Sequence, residues 1–172
     1  MKTRYTALAA CLAALALTAC GSTSSGNVPQ TASAAPATDS GACRLLANNE
    51  GKGKNMVYRC NVSRVLATPD ARAALDSNIP VSFGAGGKYR TNASARSFGR
   101  DEAASCERAV VNAVNNLQVR VKKDGGKRLT NVESYAAQNN GRFDRNRMLP
   151  AGEADCIVAT FQTRVVMRGS VR

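Results

Sequence analysis

The stretch SFGRDEAASCERAVVNAVNNLQVRVKKDGGKRLTNVESY, residues 97–135, decides the fold. Within it Ala103, Cys106, Val110, Ala113, Val114, Leu117 and Val121 recur at steps of three and four. That spacing makes one apolar face of a helix about six turns long. Asp101 is placed to cap it, Glu102 falls in its first turn, and Lys122 and Lys123 fall in its last, so both ends suit the helix dipole. Val119-Arg120-Val121-Lys122 alternates and is also readable as a strand. The unbroken face through Val121 and the stop at Asp124-Gly125-Gly126 favour a helix to about Lys123. A strand over Lys127 to Tyr135 follows.

Upstream, Ala42 to Leu46 and Met56 to Val65 read as strands joined by Asn-Asn-Glu-Gly-Lys-Gly-Lys-Asn. A hairpin centred on that loop sets Cys43 opposite Cys60, close enough for a disulfide. Thr68 and Pro69 open a short helix to about Ser77, as cap and first helical residue. Pro80 to Phe83 is a short edge strand, and Gly84 to Arg96 a glycine-rich basic loop, long enough to be mobile or to contact something. Downstream, Ala136 to Gly152 reads as a polar loop and Asp155 to Arg168 as a long β-rich run carrying Cys156. Cys106 sits on the apolar helix face and so points at the sheet; with Cys43 bonded to Cys60, Cys156 is its partner. The element order β-β-α-β-α-β-β predicts an α+β fold: a mainly antiparallel sheet with one long helix packed across it, stapled by two disulfides.

Residues 1–19 carry Lys2 and Arg4 ahead of a short apolar run, Ala7 to Leu17. A run shorter than the roughly 20 residues of a membrane span, with a basic flank, reads as a secretory signal. Leu17-Thr18-Ala19-Cys20 resembles a bacterial lipobox, which implies cleavage before Cys20 and lipidation of it. Inner-membrane lipoproteins carry Asp after that cysteine; Gly21 stands here, so the expected location is the outer membrane, facing the periplasm or the cell surface. Residues 20–41 then form a lipidated flexible tether whose 21 residues from Gly21 span roughly 25 Å as a random coil. Residues 42–172 form a single α+β domain.

The chain has 172 residues, 24 basic and 12 acidic. Loss of the signal removes Lys2 and Arg4 and no acid, leaving 22 basic and 12 acidic side chains, net +10. Such a charge attracts anionic surfaces and equally serves solubility. No tryptophan and only four phenylalanines and four tyrosines are present, so stacking platforms are scarce and no nucleic acid is expected as a partner.

The chemistry of catalysis is thinly supplied. Histidine is absent and the four cysteines left after Cys11 and Cys20 are better used as bridges, which argues against Ser-His or Cys-His nucleophiles, a zinc site or a thioredoxin-like site. Nothing pairs Asp101, Glu102, Glu133, Glu153 or Asp155 as facing carboxylates. Gly84-Ala85-Gly86-Gly87-Lys88-Tyr89 lacks the glycine at 82 and the Ser or Thr at 89 that a phosphate loop requires. The loop retains exposed amides and cations, and Lys88, Arg90, Arg96 and Arg100 are the candidate anion-binding residues. Neither a catalytic residue nor a cofactor or metal is expected.

As an ordered set, Val81-Ser82-Phe83-Gly84, Asp101 to Cys106, Leu117-Gln118-Val119-Arg120, Gly125-Gly126, Asn131-Val132-Glu133-Ser134-Tyr135 and Cys156 with Met167-Arg168-Gly169 resemble a family of small secreted proteobacterial proteins. That family is often labelled an excinuclease ATPase subunit, a label neither the sequence nor a secreted address supports. More remotely, the helix, the glycine stop and the Asn-Val strand are similar to the Rcs envelope-stress sensor lipoprotein, which also holds two disulfides. The chain departs in Lys127-Arg128 and in its Cys43–Cys60 hairpin. The resemblance implies no catalytic residues. The resulting expectation is a non-enzymatic lipid-anchored envelope protein that binds or senses an anionic envelope component or a protein partner; the alternative is an immunity-type or inhibitor lipoprotein that neutralises a secreted enzyme or toxin.

Overall fold

The hairpin forms in the expected register: Cys43 pairs with Cys60 across β1 (Cys43–Ala47) and β2 (Met56–Asn61). The structure is a computed structural model that describes residues 41–49 and 55–172. The expected signal, Cys20 and the tether before Gly41 lie outside the described residues, which fall in one compact unit. After β2 come α1 (Val62–Leu66), α2 (Pro69–Ala74), β3 (Val81–Phe83), β4 (Tyr89–Arg96) and α3 (Glu102–Lys123). Then follow β5 (Leu129–Ala137), β6 (Phe143–Met148), β7 (Glu153–Val158) and β8 (Gln162–Val171).

The strands run in the order β1-β2-β7-β8-β5-β3, with β4 added on β8 and β6 on β5. All pairings are antiparallel except β3 with β5. The result is a sheet-rich antiparallel half-barrel with a helix and two disulfides, Cys43–Cys60 and Cys106–Cys156. The balanced α+β class is therefore corrected to mainly sheet. Four local expectations change with it. The strand expected to run to Val65 ends at Asn61, whose side chain accepts the Arg64 amide at 3.0 Å and caps α1. The segment 84–96 is not a loop throughout: from Tyr89 it is a strand paired along its length with β8. The polar segment 136–152 carries β6, and the single run 155–168 is two strands joined by a tight turn at Ala159 to Phe161.

Alternation along the strands divides the side chains. The row Tyr58, Cys156, Val165, Ala93 shares a core with Cys106, Val110, Ala113, Val114 and Leu117 of α3. Each buried Val or Leu there is worth about 1.5–3 kcal/mol. The neighbouring row Val57, Ile157, Arg164, Ser94 belongs to the opposite side. The long helix is tied to strands by Cys106–Cys156 and by the buried pair of hydroxyls Ser105 and Thr163, 2.7 Å apart. Gln118, also buried, donates to the carbonyls of Asp76 and Ile79 and accepts the Asp76 amide. That explains a carboxamide on a helix face otherwise apolar: it satisfies the turn between α2 and β3.

Candidate anion-binding groove

Two outward-facing arginines of the sheet, Arg90 and Arg164, become a site only when the chain after β5 folds back beside them. β4 presents Arg90 and Asn92, and β8 presents Arg164 and Val166 beside them, with Asn92 opposite Val166. Gln138, Arg142, Phe143 and Arg145, from the β5–β6 turn and β6, form the other wall. Together these residues line an open groove of about 510 Å³. In β6 the side chains of Phe143 and Arg145 fall on one side, and alternation sends Asp144 to the other. Asp144 instead accepts the Asn146 amide at 2.9 Å.

Among the described residues no carboxylate lines this groove. The acids nearest in the sheet are held by their own partners. Asp155, buried, receives Nε and Nη2 of Arg59 at 2.8 and 3.2 Å and the Ala137 amide at 2.9 Å. Those charged hydrogen bonds outweigh burial and hold the Arg59 guanidinium above its ordinary range. Glu133, 3 % exposed, receives Nε of Arg168 and the amides of Gly86 and Gly87. None of the four groove arginines is in an ion pair among the described residues. Arg90 lies over the Tyr135 ring, 5.3 Å from its centroid, and Arg168 lies 5.7 Å from it. Arg164 donates to the Gly141 carbonyl at 3.3 Å. Two of the four guanidiniums are thus pre-positioned by the fold, and a guanidinium fork matches a carboxylate, sulfate or phosphate bidentately.

Of the residues expected to bind an anion, the groove contains Arg90 alone. Lys88 is exposed ahead of β4, its ammonium 5.7 Å from the Tyr89 ring. Arg96 ends β4 opposite Gln162, and Arg100 lies beyond it at the entrance to α3. The glycine-loop amides are not free for a ligand, because the Glu133 carboxylate already occupies them at 2.7 and 2.9 Å. Arg142 and Arg145 fall in the basic run 142–147, visible in the sequence as a concentration of charge. Arg164, in an apolar run, carried no such signal.

A second groove of about 520 Å³ lies between α2 and α3, but Asp70, Glu107 and Arg108 give it both signs of charge and no convergent chemistry. The sulfurs of Cys60, Cys106 and Cys156 lie within 4.8 Å of one another, and all three are spent in disulfides. No described helix is long and apolar enough to cross a membrane. The chain matches no protein-family model, no curated protein and no solved structure.

Proposed function

We propose that this is a non-enzymatic, lipid-anchored envelope protein whose folded body binds an anionic component of the envelope through the groove of Arg90, Arg142, Arg145 and Arg164. The observation that carries the reading is four arginines lining one groove that no carboxylate among the described residues lines. In this reading α3 lies across the core side of the sheet and leaves the other side to the ligand. The resemblance to small secreted proteins and the lipobox-like Leu17 to Cys20 support the address. The lipid on Cys20 holds the body at the membrane, and the groove does the binding or sensing.

Two measurements test it. Heparin oligosaccharide, a polyanion probe, titrated calorimetrically against Arg90→Ala/Arg145→Ala should bind at least tenfold more weakly than to the parent protein. Lys127→Ala/Arg172→Ala removes the same charge elsewhere and should change affinity less than threefold. Equal losses in the two variants would reduce the groove to one part of a general positive surface. Separately, Cys20→Ala should leave the membrane fraction; retention there would sink the anchor.

A further inference from the structure

Far along β8 from the Arg90 end of the groove, two phenylalanines stand in solvent. Phe98 is 57 % exposed and Phe161 71 %, with ring centroids 5.8 Å apart. Single exposed apolar residues are ordinary; a pair of rings in contact on two different loops needs a reason. The loops are not loose ends. Ser97, buried, donates its hydroxyl to the Ala159 carbonyl at 2.6 Å and its amide to the Phe161 carbonyl at 3.2 Å, while the Arg100 amide returns to Ser97. The fold thus clamps the β4–α3 connection to the β7–β8 turn and holds both rings outward.

Exposed cations stand beside the pair. Arg96 and Arg100 flank Phe98 and are exposed. Of the two acids that follow, Asp101, exposed, accepts the Ala104 amide at the start of α3, and Glu102, half-buried, accepts the Tyr58 hydroxyl at 3.0 Å. Exposed phenylalanine rings bury as apolar groups at the boundary between headgroups and acyl chains, and guanidiniums beside them meet lipid phosphates. We infer that the Phe98–Phe161 pair, with Arg96 and Arg100, is a membrane-contacting tip that dips into an anionic lipid surface. It is separate from the groove and does not depend on it. Its contribution is orientation: a body held only by a tether of roughly 25 Å tumbles, whereas one that also docks this tip presents a defined side to the space beyond the membrane.

The chain from residue 20 onward carrying Cys20→Ser, so that neither the signal's apolar run nor an acyl chain contributes, is the protein to use. Because the sequence has no tryptophan, Phe161→Trp introduces a single reporter. Its emission should shift to the blue with vesicles of phosphatidylglycerol and phosphatidylcholine, and far less with phosphatidylcholine alone. Without the reporter, Phe98→Ala/Phe161→Ala should co-sediment with the anionic vesicles about tenfold more weakly, each tenfold being about 1.4 kcal/mol. An unchanged far-ultraviolet spectrum and heparin affinity would certify the folded body. Vesicle binding that survives the double alanine change overturns the inference. So does a protein that ignores anionic vesicles, or one that instead sediments as a dimer lost in the same variant, since the pair would then be a contact between copies.

Discussion

The Glu133 carboxylate lies against the Arg168 guanidinium, Oε1 to Nε 2.8 Å, with the acid's side chain 4 % exposed and the arginine's 31 %. The same oxygen takes the amides of Gly86 and Gly87. One buried acid therefore closes the glycine segment onto β8. A Cβ at Gly87 would come within 2.8 Å of backbone atoms of Asn131 and Arg168, so nothing larger fits where the segment crosses. Glu133→Ala strands two amides and a partly buried guanidinium, and should cost about 3 kcal/mol in urea unfolding. Glu133→Gln keeps an oxygen for the amides and loses the charge, and should cost about half as much. Equal losses would mean that the charge carries the whole contribution, and a Gln variant as stable as the parent would mean that the ion pair carries nothing.

The disulfides should differ in worth. Cys43–Cys60 closes 17 residues within one hairpin, whereas Cys106–Cys156 closes 50 and joins a helix to a strand. Loop-closure entropy assigns about 3 kcal/mol to the first and about 4 kcal/mol to the second. Double alanine variants of each pair, compared by chemical denaturation, should rank in that order. A larger loss at Cys43 and Cys60 would show that native packing around the hairpin, rather than chain entropy, sets the scale.

Charge and geometry separate at the groove. Arg90→Lys/Arg145→Lys preserves both positive charges and removes the planar forks. If the forks grip the ligand, heparin affinity should fall severalfold, between the parent and the double alanine variant. If the groove works only as a field, the lysine variant should match the parent, and both should weaken alike as salt shortens the Debye length to about 10 Å at 0.1 M.

What could be read in advance followed local periodicity. The face from Ala103 to Val121 repeats every turn, and the observed helix, Glu102–Lys123, ends where the cap and the glycines lie. The Cys43–Cys60 register followed from a side-chain period of two about a short loop. β4 was hidden because its inward residues are Ala93 and Ala95, too small to mark a face, and because glycines precede it. β6 was hidden by Asp144, Arg145, Asn146 and Arg147, charges and amides that suit an exposed strand yet read as loop. The groove could not be read at all as a unit. Arg90, Arg145 and Arg164 lie on three strands, and their meeting depends on how β4 joins β8 and how β6 turns back along β5. Glu133 was equally opaque, since its acceptor role is set by amides 46 and 47 residues away.

Tyr58 supplies the pH prediction. Its hydroxyl donates to Glu102 at 3.0 Å, and the ring is buried in the core shared with α3. Burial first, then the hydrogen bond to the carboxylate and the charges of Glu102 and Asp101, push the phenol above its ordinary value of 10.0. The folded state thus holds this proton more tightly than the unfolded chain does. The stabilisation is complete below about pH 10 and drains away as pH climbs beyond it, because the unfolded chain releases the proton first. Urea midpoints measured between pH 8 and 11.5 should fall along the alkaline limb. In Tyr58→Phe the neutral-pH midpoint should drop by the worth of the hydrogen bond, about 1 kcal/mol, and the alkaline limb should flatten because the proton is gone. Parallel limbs in the two proteins would assign the alkaline loss to surface lysines instead.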